Sequence, residues 1–198
     1  DYGIKVTGNV IVGKLSSSYR EYIVMKSVPL KNLISVANKY SSNSYAEQIL
    51  RTVGLRVYGF GSIYNSQKVL NDFVKRLFGE YYPFKLNDAC GLSTYNLLTP
   101  YMLAQTLVYA YKNHNGFNGF ISTLATAGKE GTMEGRLKDI TAYAKTGTLQ
   151  KVSNIAGIMI TKTGKRVAFC IMVNNFITPT YVVTAYHDEI IRYVWNNY

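Results

Sequence analysis

Apolar residues in the first part of the chain recur at intervals of three and four positions, the spacing of amphipathic helices. This spacing predicts four helices: one beginning at Pro29, one following the SSN segment at 41–43 and ending at Gly54, one over 66–78, and one from Thr99-Pro100 to Asn115-Gly116. Pro at a first helical position and Gly after a last one are typical of helix ends. The residues expected to face inward include Leu30, Leu33, Ile34, Leu50, Val74, Leu107 and Tyr111.

The second half of the chain contains two strongly apolar runs, NIAGIMIT and RVAFCIMV, separated by turn residues and preceded by the polar but strand-like run TAYAKTGTLQ. It predicts strands over 141–150, 154–162 and 166–174, followed by a helix over about 181–196 that buries Ile190, Ile191, Val194 and Trp195. The alternating segment GIKVTGNVIV at 3–12 predicts a further short edge strand. Helices followed by an antiparallel meander and a packed terminal helix indicate an α+β fold, with helices packed on an antiparallel sheet.

Composition places the chain among globular proteins. Of its 198 residues 47% are hydrophobic and 17% charged, so one hydrophobic core is expected. The longest apolar runs, 155–160 and 167–173, are shorter than the roughly 20 residues that a membrane-spanning helix needs. The first residue is Asp and no charged-then-apolar leader is found, so we expect any targeting signal to lie upstream or to have been removed.

The charge balance suggests one candidate function, a binding module without catalysis. The chain carries 22 Lys and Arg against 11 Asp and Glu, a formal net charge of +11. Such a surface attracts nucleic acid, anionic membrane or acidic cell-wall polymer. The basic residues are scattered, however, and no nucleic-acid-binding motif accompanies them, so nucleic acid is not an expected partner.

The cysteines and histidines suggest a second hypothesis. Cys90 and Cys170 are too few and too far apart to predict a metal site, so no metal is expected. A thiol enzyme would pair Cys90 with His114 or His187 as its base. Neither histidine lies in a motif, and both fall in or next to predicted helices, where a surface position explains them. The thiol dyad is therefore the weaker enzyme hypothesis.

The tripeptide Lys-Thr-Gly occurs twice, at 145–147 and 162–164. The second copy lies between two apolar predicted strands, where Gly164 suits a hairpin turn. The first copy lies inside a predicted strand, which a central Gly weakens unless something must approach the backbone closely. Alternation places Lys145 and Gly147 on one face, so an ammonium group projects beside a strand segment without a Cβ. This arrangement suits a peptide-like ligand.

Four segments occur in an order and spacing that resemble a known enzyme family. They are SSNSYAE at 41–47, DACGLSTYNLLTP at 88–100, LATAGKEGTMEGRLKD at 124–139 and AKTGTLQKVSNIAG at 144–157. Their order resembles that of the low-molecular-mass class C penicillin-binding proteins, the S13 family of serine-type D-alanyl-D-alanine carboxypeptidase/endopeptidases, over nearly the whole chain. The resemblance implies the penicillin-binding-protein/serine β-lactamase-like transpeptidase fold. It further implies that residues 25–198 are the C-terminal part of the catalytic domain and residues 1–24 the end of an inserted domain or a connecting strand.

The resembling family has three active-site motifs, and this chain shows two of them. SxN occurs as Ser41-Ser42-Asn43 and KTG as Lys145-Thr146-Gly147. The SxxK motif, which supplies the nucleophilic serine, does not occur in the 198 residues, so the resemblance implies a nucleophile upstream in the same protein. The implied reaction is attack on a D-alanyl peptide bond, which forms an acyl-enzyme that water then hydrolyses. No cofactor is implied.

The resemblance also implies roles for the motif residues. Ser41 would relay a proton to the leaving amine, and Asn43 would hydrogen-bond the substrate's backbone amide. Lys145 would hold positive charge in the cleft that all three residues line. Ser41 and Lys145 are therefore expected to come close together in space.

Substrate binding is implied for the residues that follow Lys145. Thr146 would bind the terminal carboxylate beside Gly147, and the N–H of Thr148 would be one of two oxyanion donors. The expected partners are peptidoglycan peptides, β-lactam antibiotics and the N-terminal part of the same protein. A periplasmic or other extracytoplasmic location is expected.

Overall fold

The computed structural model describes residues 3, 5, 7–9, 12–14, 16–18, 23–113 and 116–198. The helices are α1 (Leu30–Tyr40), α2 (Asn43–Tyr58), α3 (Ile63–Phe78), α4 (Pro100–Asn113), α5 (Phe117–Ile121) and α6 (Thr180–Asn197), and the strands are β1 (Ala125–Thr126), β2 (Ala142–Leu149), β3 (Val152–Ile160) and β4 (Arg166–Asn174). The strand expected over 3–12 depends on residues outside the described ones and stays a prediction.

The strands form one antiparallel sheet in the order β1-β2-β3-β4. Helix α6 packs against β3, and α4 packs against β3 and β4. The predicted meander and the α+β arrangement are therefore confirmed. Among the described residues, we find no helix with the length and apolar character that spanning a membrane requires.

The hydrophobic core determines which face of β2 is available for a site. Ala142 and Ala144 are fully buried and pack with Ile155, Met159 and other apolar residues. Because side chains alternate along a strand, the face of β2 opposite these alanines carries Lys145. The core thus fixes the orientation of the strand that presents the first Lys-Thr-Gly.

The predicted helix boundaries near Gly54 were wrong. Gly54 lies buried inside α2, and a Cβ there would lie 2.6 Å from Ser66 Oγ, so this glycine permits the close contact between α2 and α3. Helix α2 ends instead at Tyr58, and the residue that caps it is Gly59, which has a φ of 73°. Helix α3 begins three residues earlier than predicted, because the Ser62 side chain accepts a hydrogen bond from the Asn65 N–H and caps it.

Three residues that were expected to face inward are exposed. Leu30 is 57% exposed, and Tyr111 and Ile190 are each 48% exposed. Leu30 is the first residue of α1, and Tyr111 lies in the last turn of α4, where the packed face ends. Ile191 is buried against the sheet, and its neighbour Ile190 points away from it, because consecutive helical residues do not share a face.

The second Lys-Thr-Gly forms a hairpin turn, as predicted. Gly164 has a φ of 80° and its N–H donates to the Thr161 carbonyl over 2.9 Å. The Lys162 ammonium lies 4.6 Å from the centre of the Trp195 ring. This copy of the motif therefore has a structural explanation in the connection between β3 and β4.

Gly157 is expected to be the glycine of the sheet that is most sensitive to substitution. It lies opposite Ala144, and an added Cβ would collide with the Tyr143 carbonyl oxygen and lie 2.8 Å from the Ala144 Cα. These are backbone atoms of β2, so Gly157→Ala should lower the free energy of unfolding by about 3 kcal/mol, as measured by denaturant titration. Gly147→Ala is the control, because its Cβ would meet nothing within 4 Å. Equal stabilities of the two variants would contradict this reading of the β2–β3 contact.

Candidate active site

Ser41 lies in the turn between α1 and α2. Its backbone is left-handed, with φ 55° and ψ 42°, a conformation that is uncommon outside glycine. This residue ends α1 and allows α2 to begin two positions later, at Asn43. Ser42 precedes α2 but makes no side-chain capping hydrogen bond, so helix capping does not explain the SSN segment.

The structure brings Ser41 and Lys145 into direct contact. The Lys145 ammonium donates a hydrogen bond to Ser41 Oγ although 104 positions separate the two residues in the sequence. The prediction that these two side chains meet is confirmed. Asn43 is exposed at the start of α2, two residues from Ser41, and its role stays a prediction.

The surroundings of Lys145 leave its charge uncompensated. Its ammonium also donates to the Thr146 carbonyl oxygen, so both of these partners are neutral oxygens. No carboxylate in the described ranges forms an ion pair with it. Burial of the side chain lowers the pKa of Lys145 from its usual value. An anionic ligand would therefore meet an unpaired cation whose proton is held less firmly than that of an exposed lysine.

The C-terminal half of β2, beside Lys145, has a free edge. The Ala142 carbonyl accepts a hydrogen bond from Ala127 N, so even-numbered residues of β2 direct their backbone groups towards the β1 side. Strand β1 is only two residues long and pairs with positions 143 and 144. The backbone N–H and C=O groups of Thr146 and Thr148 consequently face an edge on which no strand of the described residues lies.

The three residues after Lys145 leave space for a ligand. Gly147 and Thr148 are exposed and Thr146 is half-buried. An added Cβ at Gly147 would meet nothing within 4 Å, so packing within the described residues does not require glycine there. The binding roles predicted for Thr146, Gly147 and Thr148 stay predictions, but all three border the same open edge.

Glu47, which belongs to neither the SxN nor the KTG motif, fixes the loop that follows α3. Its Oε1 accepts hydrogen bonds from Ala89 N at 2.7 Å and Cys90 N at 3.1 Å. Asp88 accepts from the N–H groups of Gly91 and Ser93. Ligand atoms of Glu47, Asp88 and Cys90 lie within 4.8 Å of one another, but Glu47 Oε1 and both Asp88 carboxylate oxygens already accept backbone hydrogen bonds. We therefore assign no metal to this cluster.

The thiol-dyad hypothesis finds no support in the structure. Burial raises the pKa of the Cys90 thiol, whereas a nucleophilic cysteine needs a lowered pKa. His187 is 1% exposed, so the predicted surface position of this histidine was wrong. Its surroundings include Arg136 and Asp188, which pair with each other over 2.7 Å. His114 lies outside the described residues.

His187 should make the stability of the fold depend on pH. Burial, with the nearby Arg136, lowers the pKa of this histidine, and no described group is a hydrogen-bond partner for its Nε2. The unfolded chain therefore binds more protons than the fold as the pH falls through about 6.5, and the free energy of unfolding decreases. Thermal unfolding at pH 7 and pH 5 should show this loss, and His187→Leu should reduce it. The same pH dependence in both proteins would contradict the assignment.

Comparisons with known proteins connect this geometry to a family. The sequence matches the D-Ala-D-Ala carboxypeptidase 3 (S13) family over residues 1–193. The chain belongs to the S13 family of D-Ala-D-Ala carboxypeptidases. It is 28% identical over 185 residues to a D-alanyl-D-alanine carboxypeptidase, DacB, of Haemophilus influenzae, with 89% of this chain and 38% of the relative covered. It is 26% identical over 189 residues to a D-alanyl-D-alanine carboxypeptidase of an Actinomadura species, with 89% and 35% covered.

Solved structures confirm the fold expected for an S13 member. Penicillin-binding protein 4 of Haemophilus influenzae, in complex with a β-lactam, matches with a TM-score of 0.73 and 25% identity, covering 83% of this chain and 41% of that one. A class A β-lactamase of Bacteroides cellulosilyticus matches with a TM-score of 0.66 and 19% identity, covering 85% and 63%. The chain thus has the penicillin-binding-protein/β-lactamase fold and spans less than two fifths of the length of the two curated S13 relatives.

Proposed function

We propose that the protein is a serine-type D-alanyl-D-alanine carboxypeptidase/endopeptidase that acts on peptidoglycan peptides through an acyl-enzyme. These 198 residues supply its SxN and KTG motifs, and an SxxK serine elsewhere in the full-length protein is the nucleophile. The observation that carries the proposal is the contact between Ser41 and Lys145 beside the free edge of β2. Membership of the S13 family supports the same reaction.

Proton transfer is the proposed task of Ser41. Because Lys145 donates to Ser41 Oγ, the hydroxyl hydrogen of Ser41 remains available for a second partner. In the proposed reaction Ser41 gives this proton to the leaving amine and receives the proton that the nucleophilic serine loses on attack. The nearby ammonium stabilises negative charge that develops on Ser41 Oγ during the transfer.

Substrate binding is the proposed task of the β2 edge. An extended D-alanyl peptide would hydrogen-bond to the edge-facing backbone groups of Thr146 and Thr148, as a strand added to a sheet edge does, and would share the Thr146 carbonyl oxygen with the Lys145 ammonium. The N–H of Thr148 would donate to the carbonyl oxygen that becomes negatively charged, and the peptide's carboxylate would meet Lys145. The Thr146 side chain starts on the opposite face of β2 from Lys145, so its hydroxyl would reach the carboxylate around the free edge of the strand. Asn43 would hold the peptide from the opposite side. β-Lactams, one of which is bound in the penicillin-binding protein 4 structure, would occupy the same site.

The proposed location is the periplasm or another extracytoplasmic space, where peptidoglycan is found. The basic surface of the chain suits an anionic cell-wall polymer. Nucleic acid is not a proposed partner. The N-terminal part of the same protein is a required one, because it would carry the nucleophile.

Release of D-alanine tests the proposal. The full-length protein should liberate D-alanine from a peptide ending in D-alanyl-D-alanine, and Ser41→Ala should slow this release by about a hundredfold or more. The same peptide ending in L-alanine is the control substrate. Absence of D-alanine release and of penicillin acylation by the full-length protein would refute the proposal, and strongly salt-dependent binding to DNA would then favour a basic binding module.

A further inference from the structure

We propose that Glu130 and Gly131 are positioning residues, which hold the end of α1 so that Ser41 stays in contact with Lys145. Neither residue belongs to the SxN or KTG motif. Both lie in the loop between β1 and β2, and Gly131 begins a short 3-10 turn that ends at Met133. The claim that these residues matter for catalysis rests on the proposed function. The claim that they keep Ser41 in contact with Lys145 does not.

Gly131 contacts the backbone of α1 at Lys39, two residues before Ser41. Its φ is 58°, and a Cβ at this position would collide with the Lys39 carbonyl oxygen and lie 2.9 Å from the Lys39 carbonyl carbon. The obstructing atoms are backbone atoms, so no side-chain rotation can relieve the contact. A substituted residue 131 would have to displace either the loop or the last turn of α1.

Glu130 ties the same turn of α1 to the sheet. Its carboxylate oxygens lie 2.9 and 3.0 Å from the Lys39 ammonium, and one of them accepts a hydrogen bond from the Thr126 hydroxyl at 2.9 Å. The hydrogen bond to Lys39 lowers the pKa of Glu130. Thr126 belongs to β1 and pairs with Tyr143 of β2, two residues before Lys145. One carboxylate thus joins the last turn of α1, which precedes Ser41, to β1, the strand that pairs with the Lys145 strand β2.

The Ser41 backbone makes such support necessary. A serine in the left-handed region is less stable there than in an extended or helical conformation, so the surrounding structure must hold it. The contacts at Lys39 act on the residues that immediately precede Ser41. We therefore expect a loss of either contact to move Ser41 Oγ away from Lys145 while the sheet stays intact.

The test compares Gly131→Ala with Gly135→Ala in the full-length protein. Gly135 is an exposed residue of the same loop, and an added Cβ there would meet nothing within 4 Å. Crystal structures should show Ser41 Oγ separated from the Lys145 ammonium by more than about 4 Å, beyond hydrogen-bonding reach, in Gly131→Ala only. An intact contact in Gly131→Ala would overturn the proposal, and this readout does not depend on enzymatic activity.

Acylation kinetics test whether the two residues act through Ser41. Gly131→Ala should slow acylation by a fluorescent penicillin about a hundredfold, as a misplacement of about 1 Å can do, and Gly135→Ala should not. Adding Gly131→Ala to Ser41→Ala should slow acylation almost no further, because the Ser41 hydroxyl through which Gly131 acts has already been removed. An equal further loss in that background would show a merely structural role and overturn the proposal.

Glu130→Gln provides a second variant in case Gly131→Ala does not fold. It keeps the shape of the side chain but loses the ion pair with Lys39. Acylation should therefore slow in the protein that keeps Ser41, and it should not slow further in the protein that carries Ser41→Ala. Unchanged acylation by Glu130→Gln would count against the role of this carboxylate. A wild-type protein that no penicillin acylates would refute the proposed function instead, and the crystal structures would still decide the geometric claim.

Discussion

Replacing Lys145 by Ala in the full-length protein is expected to slow acylation by a labelled penicillin by about a hundredfold to ten-thousandfold. The variant loses the ammonium that contacts Ser41 Oγ. It also loses a positive charge in the site, which no carboxylate of the described residues neutralises by an ion pair. The expected magnitude is that of losing a group that assists proton transfer in the transition state. The observed rate constant for formation of the fluorescent adduct measures the effect.

Lys162→Ala is the matched control for this prediction. Lys162 begins the other Lys-Thr-Gly, which forms the turn between β3 and β4 and contacts Trp195. Its removal should leave the acylation rate within about twofold of wild type, because surface substitutions away from a site have small effects. An equal loss in both variants, or a greater loss at Lys162, would show that the wrong copy of the motif has been assigned.

The isolated 198-residue chain is expected to form no covalent adduct with penicillin. It contains no SxxK sequence, and without the nucleophilic serine the covalent route itself is lost. Incubation with a fluorescent penicillin followed by denaturing electrophoresis should therefore show no labelled band. The positive control is the full-length protein, in which peptide mapping should find the label on a serine that precedes residue 1.

Co-expression extends this second prediction. A separate upstream segment that carries SxxK should acquire the label when it is produced together with these 198 residues, provided the two parts associate. A covalent adduct on any serine between residues 1 and 198 would contradict the motif assignment. It would mean that the nucleophile lies within this chain.

Strand positions were the part of the fold that the sequence predicted best. The expected strands over 141–150 and 166–174 agree closely with Ala142–Leu149 and Arg166–Asn174. The 166–174 segment is short, rich in β-branched and aromatic residues and bounded by turn residues, which favours a strand over a helix. Gly54 was misread because a glycine that ends a helix and a glycine that permits close helix packing look the same in one sequence. Only the contact with Ser66 distinguishes them.

The candidate site could be predicted only in part. A glycine inside a predicted strand, Gly147, indicated that a ligand approaches the backbone there, and the open space beside this residue agrees with that interpretation. The contact between Ser41 and Lys145 depends on how α1 and β2 pack, so periodicity could not predict it, and the family resemblance did. Gly131 had no distinguishing signal, because Gly128 and Gly135 occur in the same loop and only the backbone contact with Lys39 separates them.

A crystal structure of the full-length protein acylated by a β-lactam would show whether these residues form the active site. We expect the acyl carbonyl oxygen to lie within about 3.1 Å of the Thr148 nitrogen, and Ser41 Oγ and the Lys145 ammonium to remain in contact beside the adduct. An acyl group more than about 10 Å from Lys145, beyond reach even through one bridging water, would contradict the claim that Ser41, Lys145 and the free edge of β2 form the active site.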